Sequence, residues 1–161
     1  VSACVILAEI AAWAKDQGLS LYQLLQKIYV EYGFSKEKGI SVVKKGKSGA
    51  EEIEAMMKKF RENPLTEIAG SKVTYFYDYS TLKGKDYAEN ETVTLDMPTT
   101  SNVLQYFTED NTKVSIRPSG TEPKIKFYCE VHSKVKSIDE LPEAEKAAEE
   151  KINQIKASLG I

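Results

Sequence analysis

The chain has 161 residues, 42% of them hydrophobic and 29% charged, with a formal net charge of −2. That length holds one domain, or one domain with an appendage, and the apolar fraction is enough for a packed core. A pI near 5.6 excludes a global field for nucleic acid or an anionic membrane, so any anion site must be local.

Residues 1–16 read as a helix that is apolar nearly all round, the kind normally buried on several sides. The run from Ala3 to Ala14 is interrupted by Glu9, is too short to span a bilayer, and has no signal-peptide pattern. Starting at Val1 with no N-cap of its own, the helix is expected to be the beginning of an excised piece of a larger protein, with Trp13 covered by the missing part. Gly18 ends it. Ser20 and Gln23 form a capping box for a second helix, striped by Leu21, Leu24, Leu25, Ile28 and Tyr32 and stopped at Gly33.

Residues 33–40 are charged, glycine-bounded and without period, and are expected to be a connector. The domain boundary falls there, giving a helical tail at 1–38 and a C-terminal domain at 39–161. Ile40 to Val43 suits a short strand. Lys44, Lys45 and Lys47 read as a solvated charge run. Ser48 and Glu51 make a capping box opening a helix to about Glu62, with Ile53, Met56, Met57 and Phe60 inward and Asn63-Pro64 as its stop.

Four β segments follow: Lys72–Tyr79, Val103–Thr108, Lys113–Arg117 and Lys124–His132. The last two alternate cleanly. Val114 and Ile116, then Ile125, Phe127, Cys129 and Val131, define a buried face. They flank residues 118–123, which predicts a hairpin. The acidic stretch 78–96 is expected to be a mobile surface loop. A last helix from near Pro142 to about Ser158 presents Ala144, Ala148, Ile152, Ile155 and Leu159, with Gly160 as C-cap. The fold class is therefore α+β: two layers, a mainly antiparallel sheet of four to five strands with helices on one face, preceded by the helical tail. Cys4 and Cys129 are expected to be free buried thiols of a reducing, cytoplasmic compartment. His132 has no cluster at ligand spacing and is not read as a metal ligand.

The chemistry concentrates in Arg117-Pro118-Ser119-Gly120-Thr121-Glu122-Pro123-Lys124. Arg117 offers a forked pair of N–H donors, Ser119 and Thr121 offer hydroxyls, and Lys124 adds a point charge. Gly120 is expected to take positive φ and bring its N–H to an anion. Glu122 would repel a phosphate directly and is read as orienting Arg117 or Lys124, or facing a neutral hydroxyl. The same residue types also make an ordinary solvated turn, and composition leaves both readings open.

The segment RPSGTEPK, with KIKFYCEV after it, resembles the phosphate-binding loop and following strand of the α-D-phosphohexomutase C-terminal domain, the phosphoglucomutase/phosphomannomutase family. Val1-Ser2-Ala3-Cys4 with its helix resembles the end of that family's third domain, and YGFSKEK with ISVVKKGKSGAEEI the passage into the fourth. The resemblance implies a TATA-box-binding-protein-like C-terminal domain in a cytoplasmic isomerase. That enzyme moves a phosphoryl group between C1 and C6 of a hexose through a bisphosphorylated intermediate, with a phosphoserine and Mg²⁺. It implies that Arg117, Ser119, Gly120, Thr121 and Lys124 hold the phosphate not being transferred, on a glucose or mannose 1- or 6-phosphate. The serine, metal and sugar-selecting loops of the family have no counterpart in this sequence. The chain alone is thus expected to be inactive and metal-free, to work with the remaining mutase domains, and to engage neither nucleic acid nor membrane. A second reading, from a different class, is a stand-alone anion-binding or protein-interaction module without catalysis.

Overall fold

The computed structural model describes residues 1–44 and 46–161, so Lys45 of the basic run, and the side chain of Lys47, lie outside the described residues. The chain divides into two compact units, one of Val1–Ser35 with Ser133–Ala147, the other of Lys36–His132 with Ala148–Ile161. No described helix is long and apolar enough to cross a membrane.

The first unit holds helix α1 (Ser2–Asp16) and helix α2 (Leu21–Tyr32). The Ser20–Gln23 capping box forms in full, each side chain bonding the other's backbone N–H. Tyr29 and Phe34 meet edge to face, with ring centroids 5.0 Å apart. Only Ala14 of α1 is buried, while Ile6, Ile10 and Trp13 are exposed. Cys4 is exposed too, against expectation. It stands in the apolar first turn of a helix whose side chains are nearly all uncovered, so an apolar setting in sequence does not become burial.

The second unit is built on an eight-stranded sheet. Its strands are β1 (Phe34–Val43), β2 (Glu67–Ile68), β3 (Ser71–Asp78), β4 (Lys83–Asp86), β5 (Glu91–Thr94), β6 (Leu104–Thr108), β7 (Lys113–Pro118) and β8 (Lys124–Ser133). The order is β1-β8-β7-β6-β3-β4-β5, with β2 paired to β3 off this path. Pairs β3–β6, β6–β7 and β7–β8 are antiparallel, as are β3–β4 and β4–β5. The class is α+β as expected; the sheet is larger than the four to five strands the alternation suggested.

Two segments differ from the sequence reading. Residues 33–40 are no connector, because Phe34 to Ile40 begin the ten-residue edge strand β1. Its inward positions carry Lys36 and Lys38, which both pair with Glu149, so apolar alternation is absent. Inward charge is one way an edge strand is protected from pairing with other chains. The acidic stretch 78–96 contains the β4–β5 hairpin. Its carboxylates do local work: Asp86 Oδ1 accepts from the N–H groups of Ala88 and Glu89, and the buried Asp78 accepts from Arg61 Nε at 3.0 Å.

Helix α3 (Gly46–Glu62) and the buried residues Ala148, Ile152, Ile155 and Leu159 of helix α4 (Leu141–Leu159) complete the core. α3 opens at Gly46, two residues ahead of Ser48, so the Ser48–Glu51 pair lies within the helix rather than capping it. Ile53, Met57 and Phe60 of α3 are buried with Val114, Ile116, Ile125 and Phe127 of the sheet, and Phe60 meets Phe127 edge to face. Pro64 has no N–H to give the carbonyl of Phe60 four residues before it. Tyr106 supplies the missing donor, its buried hydroxyl donating to Phe60 O at 2.9 Å. Burial also pushes the Cys129 thiol up to about 11, which keeps it an unreactive core residue.

A candidate anion site at the β7–β8 turn

The buried side chains of β7 and β8 set what the turn presents. Ile116, Ile125 and Phe127 face the core, so period-two alternation turns Arg117, Lys126 and Tyr128 to the opposite face. The register pairs Ile116 with Phe127, Arg117 with Lys126, and Pro118 with Ile125. Beyond Pro118 the turn is closed by backbone bonds, Ser119 N–H to Lys124 O at 2.8 Å and Lys124 N–H to Glu122 O at 2.7 Å. Lys44 N–H ties it to the exit of β1 by donating to Pro123 O at 2.9 Å. Lys44 itself sits tightly on α3: a Cβ built at Gly49 would stand 2.7 Å from the Lys44 carbonyl carbon. Only glycine at 49 allows that approach, which in turn fixes the strut to Pro123.

Arg117 and Lys126 are directly opposite each other across the two strands. Like charges in that relation destabilise a sheet. Among the described residues neither cation makes a hydrogen bond or ion pair. Lys124, in contrast, is engaged by Glu122. The Lys124 ammonium, first through that hydrogen bond and then through its charge, holds the Glu122 carboxyl below the usual carboxylate range. Lys126 adds a weaker charge effect on the same carboxyl, but Glu122 makes its direct contact with Lys124, and neither Arg117 nor Lys126 is held by it.

Two cavities meet at the turn. One, of about 370 Å³, is lined by residues 118–121 with Arg117, Lys126 and Tyr128. The other, of about 800 Å³, lies between residues 118–123 and the Ala50–Met57 side of α3, where Glu54, Lys58 and Arg61 also face it. Arg117, Ser119, Gly120 and Thr121 are thus brought to one cavity as the sequence suggested, and Lys124 lines neither. Gly120 does not use positive φ, contrary to expectation, and a Cβ there would meet open space. A glycine without a strained backbone at this point leaves room above its N–H rather than permitting an otherwise forbidden turn.

Sequence reasoning missed Lys126 and Tyr128. Their signal was the alternation of β8, which puts both on the face of Lys124; what it lacked was the register of the hairpin. On the same face Glu130 holds Lys113 and His132. Burial works to raise its carboxyl, but those two partners outweigh it and lower it. Among the described residues no three His, Cys, Asp or Glu side chains converge on a point.

The chain is 37% identical to phosphoglucomutase of Staphylococcus haemolyticus over 118 residues, covering 73% of this chain and 21% of that protein. It is 33% identical to phosphoglucomutase of Staphylococcus saprophyticus over 124 residues, covering 77% and 22%. The chain spans about a fifth of the length of these curated relatives. Its structural likeness to the open form of parafusin, a phosphoglucomutase from Paramecium, is distant: TM-score 0.38 and 15% identity over 73% of this chain and 19% of that one. Residues 40–148 match the family model described as phosphoglucomutase/phosphomannomutase, C-terminal domain, and with the 37% identical relative this shows that the chain belongs to that family.

Proposed function

We propose that residues 39–161 are the phosphate-gripping C-terminal domain of a phosphohexomutase, and that residues 1–38 are the tail of the domain before it. On this reading the turn holds the phosphate that is not being transferred while a phosphoryl group moves between C1 and C6 of glucose or mannose through a bisphosphorylated intermediate. The observation that carries it is the opposed Arg117–Lys126 couple, without a carboxylate partner among the described residues, beside the hydroxyls and N–H groups of residues 119–121. A dianion between two cations converts their repulsion into two charge-assisted contacts, each worth about 1.5–3 kcal/mol.

The role is binding and orientation. Arg117 meets two phosphate oxygens through its fork, Lys126 adds a point charge, and Ser119 and Thr121 donate hydroxyl hydrogens. Lys124 contributes only where Glu122 gives it up. Mg²⁺, which would supply Lewis-acid stabilisation of the transferring phosphoryl group, belongs on this reading to parts of the enzyme outside this chain. The full enzyme would be cytoplasmic and would close its other domains on the substrate to exclude water.

Two measurements test the reading. Backbone-amide chemical shifts followed during phosphate titration should move at residues 117–121 and 126, and Arg117→Ala should suppress them; shifts scattered over the surface speak for a module of another kind. The chain alone, given glucose 1-phosphate, glucose 1,6-bisphosphate and Mg²⁺, should form no glucose 6-phosphate. Turnover above background would show that the reaction needs nothing beyond these residues.

A further inference from the structure

The smaller cavity has one wall that anion binding leaves unused. Tyr128 stands two residues from Lys126 on β8, a rise of about 6.6 Å along a strand, and on the same outward face. Its flanks are small. Ser115 is its cross-strand partner on β7, and on the β1 side a Cβ built at Gly39 would lie 3.9 Å from two of its ring carbons. The side chain is consequently 45% exposed despite its place on an interior strand.

The other aromatics of this face are engaged. Tyr77 packs with Tyr75 and with Phe107, at centroid distances of 5.9 and 5.3 Å. The Tyr79 hydroxyl donates to Gln105 Oε1 at 2.8 Å. Tyr128 makes neither a ring pair nor a hydroxyl hydrogen bond among the described residues. A large ring held open at the mouth of an anion cavity, with an uncommitted hydroxyl at its rim, suits a ligand with one apolar face and a polar edge. A hexose has both, in its axial C–H groups and its hydroxyls.

We infer that Tyr128 is the platform on which the sugar ring of the bound hexose phosphate stacks, so that it fixes the direction in which the sugar leaves the phosphate. The inference rests on the phosphate reading above and adds a substrate-positioning residue to it. The ring contributes rigid contact area at the loss of only two side-chain torsions. The phosphate sits at the Arg117–Lys126 couple and the sugar lies one residue pair further along β8.

The test compares inorganic phosphate with glucose 6-phosphate on the same chain, by amide and tyrosine-ring shifts. The wild type should bind the sugar phosphate more tightly than phosphate and shift the Tyr128 ring only with the sugar. Tyr128→Leu should weaken glucose 6-phosphate binding about three- to tenfold, the range of an aromatic contact of this kind, with phosphate affinity unchanged; that unchanged affinity also reports an intact fold. Tyr128→Phe should retain most of the difference. The inference is overturned if Tyr128→Leu leaves the sugar's advantage in place, if the wild type shows no such advantage, or if the sugar-dependent shifts fall on Ala50 and Met57 in the larger cavity. Phosphate that leaves residues 117–126 unmoved would instead overturn the phosphate reading, and this inference with it.

Discussion

Replacing Lys126 by threonine should make the unliganded domain more stable and a poorer anion binder at once. The two effects have one origin. Lys126 faces Arg117 across β7 and β8, and neither makes a hydrogen bond or ion pair among the described residues. A like-charge pair in direct opposition costs a sheet about 0.2–1 kcal/mol, by analogy with the gain from unlike pairs. The lower half of that range applies here because Arg117 is exposed and water screens the repulsion. Threonine also has the higher strand propensity. The ligand side is larger, since one charge-assisted contact of about 1.5–3 kcal/mol corresponds to a Kd raised roughly 10- to 150-fold. Urea denaturation with and without phosphate reads both numbers. Without phosphate the midpoint should rise slightly. With phosphate at about 100 times the wild-type Kd, the wild type should gain about 2.7 kcal/mol and Lys126→Thr only about 0.3–1.4 kcal/mol. Added sodium chloride should shrink the unliganded difference. A variant that is less stable without phosphate and keeps its phosphate response would refute the view that this lysine is held against its neighbour for an anion's sake.

Glu122→Gln should free Lys124 and tighten phosphate or sulfate binding about two- to fivefold at low salt, as expected for an exposed charge contact; weaker binding would mean that Glu122 orients the turn rather than competing with the ligand. Tyr106→Phe strips the Phe60 carbonyl of the donor that replaces the missing Pro64 N–H, and should cost about 1–3 kcal/mol in chemical denaturation, against no change if the carbonyl finds another partner. Acid stability should depend on Asp110, which burial works to raise but which Lys151, the Thr108 hydroxyl and Thr112 together hold well below the ordinary carboxylate range. A carboxyl lowered on folding stabilises the protein above its unfolded value of about 3.9 and loses that contribution as pH falls further. The unfolding midpoint should therefore be level above pH 5 and drop below pH 4, and Asp110→Asn should flatten that drop; an equally steep acid limb in the variant assigns it to other carboxylates.

Much of this was written locally. The capping box at Ser20 and Gln23, the stop at Pro64 and the alternation of β7 and β8 are each decided within a few residues, and the structure realises them. The hydroxyls and cations of 117–124 were legible for the same reason, because a turn between two alternating strands must present whatever its residues carry. Of β1 only Ile40–Val43 was legible as a strand; its first half was not, for the inward Lys36 and Lys38 answer to Glu149, more than a hundred residues away in the chain. Nor could the sequence choose among the cations. Lys124 and Lys126 share a face in any reading of the strand, but only the register of β7 against β8 sets Lys126 opposite Arg117, and only the fold of the turn gives Lys124 to Glu122. Residue type and period are properties of a short stretch of chain; which charge remains unsatisfied depends on distances between stretches, and those exist only once the core has fixed them.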